Sequence, residues 1–86
     1  MEAWVYMLLC SDGSYYTGWT TDVDKRYKNH CSGKGARYTR SHPPVAIAYR
    51  EQCKDRSEAM KREAAIKKLS RKEKEELVSR FQGIVQ

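Results

Sequence analysis

The chain has 86 residues, 40% of them hydrophobic and 33% charged, with only 5 glycines and 2 prolines. That balance excludes a fibrous protein and argues against a disordered one, and the length points to one small domain, 1–86, with a small core. Lys and Arg outnumber Asp and Glu by 17 to 11, giving a net charge of +6, which suits a phosphate-rich partner or simply a well-solvated surface.

The longest uncharged apolar run, Ala3 to Cys10, falls far short of the ~20 residues that span a bilayer. No basic segment precedes a long apolar stretch, so no signal peptide and no membrane association are expected. Trp4 to Cys10 reads as a strand. Ser11-Asp12-Gly13-Ser14 is a turn, with Asp-Gly tolerating positive φ, and Tyr15 to Trp19 returns as the second strand of a hairpin. Thr21 with Asp24 resembles a capping box, predicting a helix over about 22–30. Cys31 to Pro44 holds two glycines and two prolines and reads as a loop. Val45, Ile47 and Tyr49 alternate with Ala46, Ala48 and Arg50, a strand pattern. Asp55 with Glu58 caps a helix to about Leu69, and Ser70 with Glu73 caps a last one to about Gln82. The order is β-β-α-β-α-α. The three cysteines, Cys10, Cys31 and Cys53, form no C-x-x-C pair, and a reducing, cytoplasmic setting fits.

Charge is unevenly spread. Between Asp24 and Glu51 no acidic residue occurs, whereas Lys25, Arg26, Lys28, Lys34, Arg37, Arg40 and Arg50 do, interleaved with Tyr27, Tyr38 and Tyr49. Such a window suits a phosphate backbone. On the first helix, steps of three and four bring Val23, Arg26, Tyr27 and His30 to one face. Two readings of Arg26 and His30 stand at this point: boundary residues with a snorkelling arginine, or groups aimed at a site. On the next helix Glu63 falls within the apolar arc of Ala59 and Ile66, with Met60 and Leu69 to either side. A carboxylate there wants a partner, either a salt bridge such as Arg26 or a metal ion. Tyr6 and Tyr16 read equally as cross-strand aromatic packing, and Gly18 within a strand marks close approach of a backbone or a ligand.

In order, these residues resemble the GIY-YIG nuclease family. The first triplet corresponds to Trp4-Val5-Tyr6 and the second to Tyr16-Thr17-Gly18, followed by Arg26, His30 and Glu63. The resemblance runs over about residues 4–80. Asp12-Gly13-Ser14, Tyr16-Thr17-Gly18-Trp19-Thr20 and Lys34-Gly35-Ala36-Arg37-Tyr38-Thr39-Arg40 are similar to small stand-alone bacterial members. Two departures stand out: Trp4 replaces the glycine of the first triplet, and the polar residue many members carry after the glutamate has no counterpart. Relatives of defined specificity usually add a DNA-binding domain, and none is expected within these 86 residues.

The resemblance implies an α/β (α+β) fold, a three-stranded antiparallel sheet flanked by helices. It implies metal-dependent hydrolysis of phosphodiester bonds in DNA, with one divalent ion, Mg²⁺ or Mn²⁺, on Glu63. Arg26 would clamp the scissile phosphate. Tyr6 or Tyr16 would orient or deprotonate the water; Tyr6 is the preferred base and His30 the second candidate. Tyr38 would support the phosphate, and Gly18, Lys34, Arg37 and Arg40 would meet the nucleic-acid backbone without reading sequence. Branched, nicked and single-stranded DNA, in repair or recombination, are the implied substrates, with a protein partner or self-association supplying specificity. The competing readings are a nucleic-acid-binding module without turnover, and an adaptor acting through Leu77, Val78 and Phe81 of the last helix.

Overall fold

The structure, a computed structural model, describes residues 2–85. Strands β1 (Ala3–Cys10), β2 (Tyr15–Thr20) and β3 (Pro44–Cys53) form an antiparallel sheet in the order β2-β1-β3. Helices α1 (Val23–Cys31), α2 (Arg37–Ser41), α3 (Arg56–Lys67) and α4 (Arg71–Val85) complete the chain. Among the described residues no helix is long and apolar enough to cross a membrane.

β1 is the centre of the fold because it is apolar on both faces. Ala3, Val5 and Met7 face α3 and α4, where Ala59, Ile66 and Val78 close a core joined by Leu69, Leu77 and Phe81. Tyr6 and Leu8 face the other way, onto Val23 and Tyr27 of α1. Alternation along the strand therefore splits a small protein into two half-cores. The stripe of Leu77, Val78 and Phe81 is spent on the sheet.

The hairpin turns at Gly13, whose φ is +86°. Asp12 Oδ1 accepts from the backbone N–H and the hydroxyl of Ser14 at 3.0 and 2.6 Å. The helix starts follow local rules, with one correction. α1 is capped by Asp22, which accepts from Lys25 N–H at 3.1 Å, and not by Thr21. Thr20 Oγ1 takes the Asp22 N–H at 3.2 Å, so the chain enters the helix one residue later than the Thr21-Asp24 pattern predicts. Asp55 caps α3 through Glu58 N–H at 2.9 Å. Ser70 and Glu73 form a complete reciprocal box at 3.2 and 3.0 Å.

Two features depart from the sequence expectation. The region 31–44 is not all loop: Arg37–Ser41 makes a short helix with no side-chain cap. It is held by tertiary contacts of the buried Thr39. On β3 the register with β1 shifts between Met7 and Leu8 and again between Leu9 and Cys10. The first bulge sends Ile47 to the Tyr6 side and Tyr49 to the α4 side, although they are two residues apart. Val45 is left exposed. On α3, Ala59 and Ile66 are fully buried while Met60 is 53% exposed.

Candidate active site

The site is built where α1, the edge strand β2 and α3 converge. Tyr6 lies on β1 opposite Gly18 of β2. Its hydroxyl is 2.9 Å from His30 Nε2, and both residues are 1% exposed. A Cβ on Gly18 would lie 2.7 Å from the Tyr6 hydroxyl oxygen and 2.9 Å from its Cζ. Gly18 is thus the floor that lets the phenol lie flat. The sequence expectation placed Gly18 against a nucleic-acid backbone; here the space over it belongs to Tyr6.

His30 is held on its far side as well. Its Nδ1 is 2.7 Å from Thr39 Oγ1, and that hydroxyl donates to the Ala36 carbonyl at 2.9 Å. The Ala36 N–H approaches the same nitrogen at 3.3 Å. Because the Thr39 hydroxyl gives its proton to the Ala36 carbonyl, the 2.7 Å link places the ring proton on Nδ1 at the expense of the longer Ala36 N–H contact, which leaves Nε2 to accept the Tyr6 hydroxyl proton. Gly35 packs against the ring so closely that any Cβ there would overlap His30 Nδ1 and Cγ. Gly35, Ala36 and Thr39 thus form the wall that orients the imidazole, and reasoning from types and spacing passed over all three. Their only trace in sequence is the run Lys34-Gly35-Ala36-Arg37-Tyr38-Thr39-Arg40.

Tyr16 completes an aromatic cluster. Its ring centroid is 6.4 Å from Tyr6, 5.1 Å from His30 and 6.0 Å from Tyr38. Tyr38 stacks in turn on His42 at 4.1 Å with 10° between planes. The Tyr38 hydroxyl donates to Ser14 Oγ at 2.5 Å, and His42 lies 3.6 Å from Asp12. Residues 38–42 are thereby pinned to the hairpin turn. His42 is a further supporting residue that no local pattern announced, and Asp12, expected only as a turn residue, is another.

The electrostatics follow from burial. Desolvation pushes the Tyr6 phenol up to about 12; the Arg26 guanidinium opposes the rise, while Tyr16 and the Glu63 carboxylate add to it. Tyr16 is raised by burial too, with Arg26 opposing and Glu63 reinforcing. His30 is lowered by burial and then by Arg26. At neutral pH the cluster is therefore a neutral phenol bonded to a neutral imidazole. Arg26 from α1 and Glu63 from α3 both act on both tyrosines, although their helices cover opposite faces of the sheet. Both charges reach the tyrosines because β2 is an edge strand.

Glu63 is 22% exposed, and Lys67 lies 3.6 Å from it, one turn on along α3. Among the described residues its ion-pair partner is Lys67 and not Arg26, and no group of three His, Cys, Asp or Glu side chains converges. A lone carboxylate does not suit zinc, which wants about four protein donors or three and a water. It does suit Mg²⁺ or Mn²⁺, hard ions that keep several waters and take phosphate oxygens. Lys34, Arg37 and Arg40 are exposed around α2, and among the described residues none of them pairs with a carboxylate. Arg50 is different: it reaches Asp24 at 3.8 Å and lies over the Trp4 ring.

Comparison with known proteins bears on the chain's family and fold. The GIY-YIG catalytic domain pattern matches residues 2–76. A UPF0213 protein of Desulfotalea psychrophila is 58% identical over 78 residues, 88% of this chain and 71% of that protein. The solution NMR structure of the UPF0213 protein BH0048 from Bacillus halodurans is 52% identical, with a TM-score of 0.59, covering 92% of this chain and 84% of that one. That of the protein EF2693 from E. faecalis is 45% identical, with a TM-score of 0.62 over 95% and 88%.

Proposed function

Because this chain belongs to the GIY-YIG catalytic domain family, a nuclease superfamily, we propose that it is a metal-dependent endonuclease acting on DNA, in repair or recombination. The observation that carries the reading is the Tyr6–His30 hydrogen bond at 2.9 Å beside Arg26 and Glu63. Four chemically different groups from three elements would not converge on one strand edge for packing alone.

Hydrolysis needs a deprotonated water, and a phenol pushed up to about 12 is a poor source of tyrosinate at neutral pH. The hydrogen bond offers another route. Tyr6 takes the water proton on its oxygen as it passes its own proton to His30 Nε2. No free tyrosinate accumulates. His30, held low by burial and by Arg26, returns the proton readily. Arg26 binds the scissile phosphate, and its charge is then balanced by the phosphate, which eases the brief protonation of His30. Glu63 would hold the divalent ion, which when bound supplies charge stabilisation at the phosphate. Lys34, Arg37 and Arg40 grip the flanking backbone, and Tyr38 buttresses Tyr16 from α2.

The test is cleavage of branched, flapped, nicked, single-stranded and duplex DNA, and of RNA, with Mg²⁺, Mn²⁺ or EDTA. Wild type is compared with Glu63→Ala and Arg26→Ala. Metal-dependent cuts lost in both folded variants support the nuclease. Binding without cuts, unchanged by Glu63→Ala, overturns it and leaves a binding module. The near-complete burial of Tyr6 is the feature that favours that second reading.

A further inference from the structure

We propose that the cleft beside Trp19 holds the base of an unpaired nucleotide next to the phosphate bound by Arg26. This rests on the nuclease reading and sharpens its substrate class to DNA with an unpaired nucleotide at the cut.

The cleft has a volume of about 360 Å³ and is lined by Trp19, Thr20, Thr21, Arg26 and Arg56. Its lining contains two cations, one indole and no carboxylate. Among the described residues neither arginine has an ion-pair partner. A ligand that fits must be anionic and must also offer a flat apolar face. A nucleotide within a strand does both, with phosphates on either side of a ring.

Position ties the cleft to the reaction centre. Trp19 follows Gly18 in β2, so the two point to opposite faces of the edge strand. Gly18 lies under Tyr6, and Trp19 packs at the border of the α3 half-core. Arg26 belongs to both places: it acts on the Tyr6 hydroxyl and also lines the Trp19 cleft. A strand whose phosphate sits on Arg26 and which crosses the edge of β2 brings its neighbouring base over the indole. Arg56 Cζ lies 6.0 Å from the Trp19 ring centroid. That is the outer limit of a cation–π contact, so the ring is not closed off by a tightly stacked guanidinium. A base entering between them leaves Arg56 free to meet the next phosphate.

Pairing state decides which nucleotide can do this. A base inside a duplex has both faces stacked and its edge paired, and a cleft of this size admits one ring and not a helix. Flaps, gaps and single strands supply such a base at no unstacking cost.

The experiment measures binding of fluorescently labelled oligo-dT and of a blunt duplex of equal length by anisotropy, in EDTA. It uses wild type, Trp19→Phe, Trp19→Ala and Arg56→Gln, each checked for fold by circular dichroism. Trp19→Ala is expected to weaken single-strand binding about 10-fold and to leave duplex binding within about 2-fold, as loss of one stacked base implies. Trp19→Phe keeps a π-face and stays within about 3-fold of wild type. Arg56→Gln lowers the salt slope of binding by about 1, the loss of one phosphate contact. In a Trp4→Phe background the remaining indole is Trp19, and oligo-dT should quench its emission. That readout holds even where Trp19→Ala fails to fold. Unmoved emission at saturating oligo-dT, or a folded Trp19→Ala with wild-type single-strand binding, overturns the proposal. A quenched indole in a protein that cuts none of the DNAs would uphold the cleft and defeat the nuclease reading instead.

Discussion

Gly18→Ala tests whether the Tyr6–His30 pair is held rigidly. The added Cβ would stand 2.7 Å from the Tyr6 hydroxyl oxygen, 2.9 Å from its Cζ and 3.2 Å from Tyr16 Cε2. Carbon atoms pack comfortably at about 3.5–4.0 Å, so the end of the Tyr6 ring must retreat by roughly 0.5–1 Å. It has little room, because the residue is 1% exposed on the central strand and His30 stands behind the hydroxyl at 2.9 Å. Overpacking of this kind costs about 1–3 kcal/mol. Against it, replacing glycine removes unfolded-chain entropy worth about 0.4–1 kcal/mol. The expected net loss is about 1–2 kcal/mol, or roughly 5–15 °C in Tm for a domain of this size. Urea unfolding followed by circular dichroism measures it, with the m-value unchanged. The double variant Gly18→Ala/Tyr6→Phe removes the hydroxyl contact, so it should lose about 0.5 kcal/mol or more less than the sum of the single changes. Equal or greater stability of Gly18→Ala than wild type would refute the reasoning, since it would mean that the phenol moves freely.

The remaining predictions concern titration and one orphaned hydroxyl. His30 is lowered in the folded state, so below an unfolded value of about 6.5 only the unfolded chain takes the proton and stability falls with pH. The loss runs from about 6.5 down to the folded value at no more than about 1.4 kcal/mol per pH unit, and denaturation midpoints of His30→Gln should lack it. Tyr6 has the opposite sign: its pKa is raised to about 12 from 10.0, so its contribution is intact below 10 and is lost between there and about 12, a loss that Tyr6→Phe should abolish. Cleavage by the Tyr6-to-His30 route should be level from about pH 7.5 to 9.5, since His30 is already neutral there; a rate climbing about tenfold per pH unit would mean that tyrosinate is the base. Thr17 Oγ1 is buried with no hydrogen-bond partner among the described residues, so Thr17→Val should stabilise the fold by about 1 kcal/mol, and a lower urea midpoint would refute that.

Most of the scaffold was legible because it rests on short-range rules. The Asp12-Gly13 turn, the Asp55 and Ser70 caps and the alternation of β1 are each decided within four residues of chain. Tyr6, Tyr16, Arg26, His30 and Glu63 could be picked out by a resemblance and by charges on inward faces. Whether Glu63 paired with Arg26 or stood apart could not, because that depends on which way two helices pass the edge of a sheet.

What the sequence determined by itself is every element except α2 and the identity of the polar groups carried on their inner faces. Turns, caps and periodicity are local, and the chain states them without knowing its final shape. Only the tertiary structure decided how those groups are held. The α2 turn has no cap and exists because Thr39 bonds His30. Gly35 is required because an imidazole five residues back folds over it. The bulge at Ala48 sends Ile47 and Tyr49 to different cores. Trp19 and Arg26, read separately in sequence as a strand aromatic and a helix cation, line one cleft because β2 lies at the sheet edge. Each of these is a contact between segments distant in the chain or in direction. Close packing fixes such contacts, and no window of neighbouring residues contains the atoms that do so.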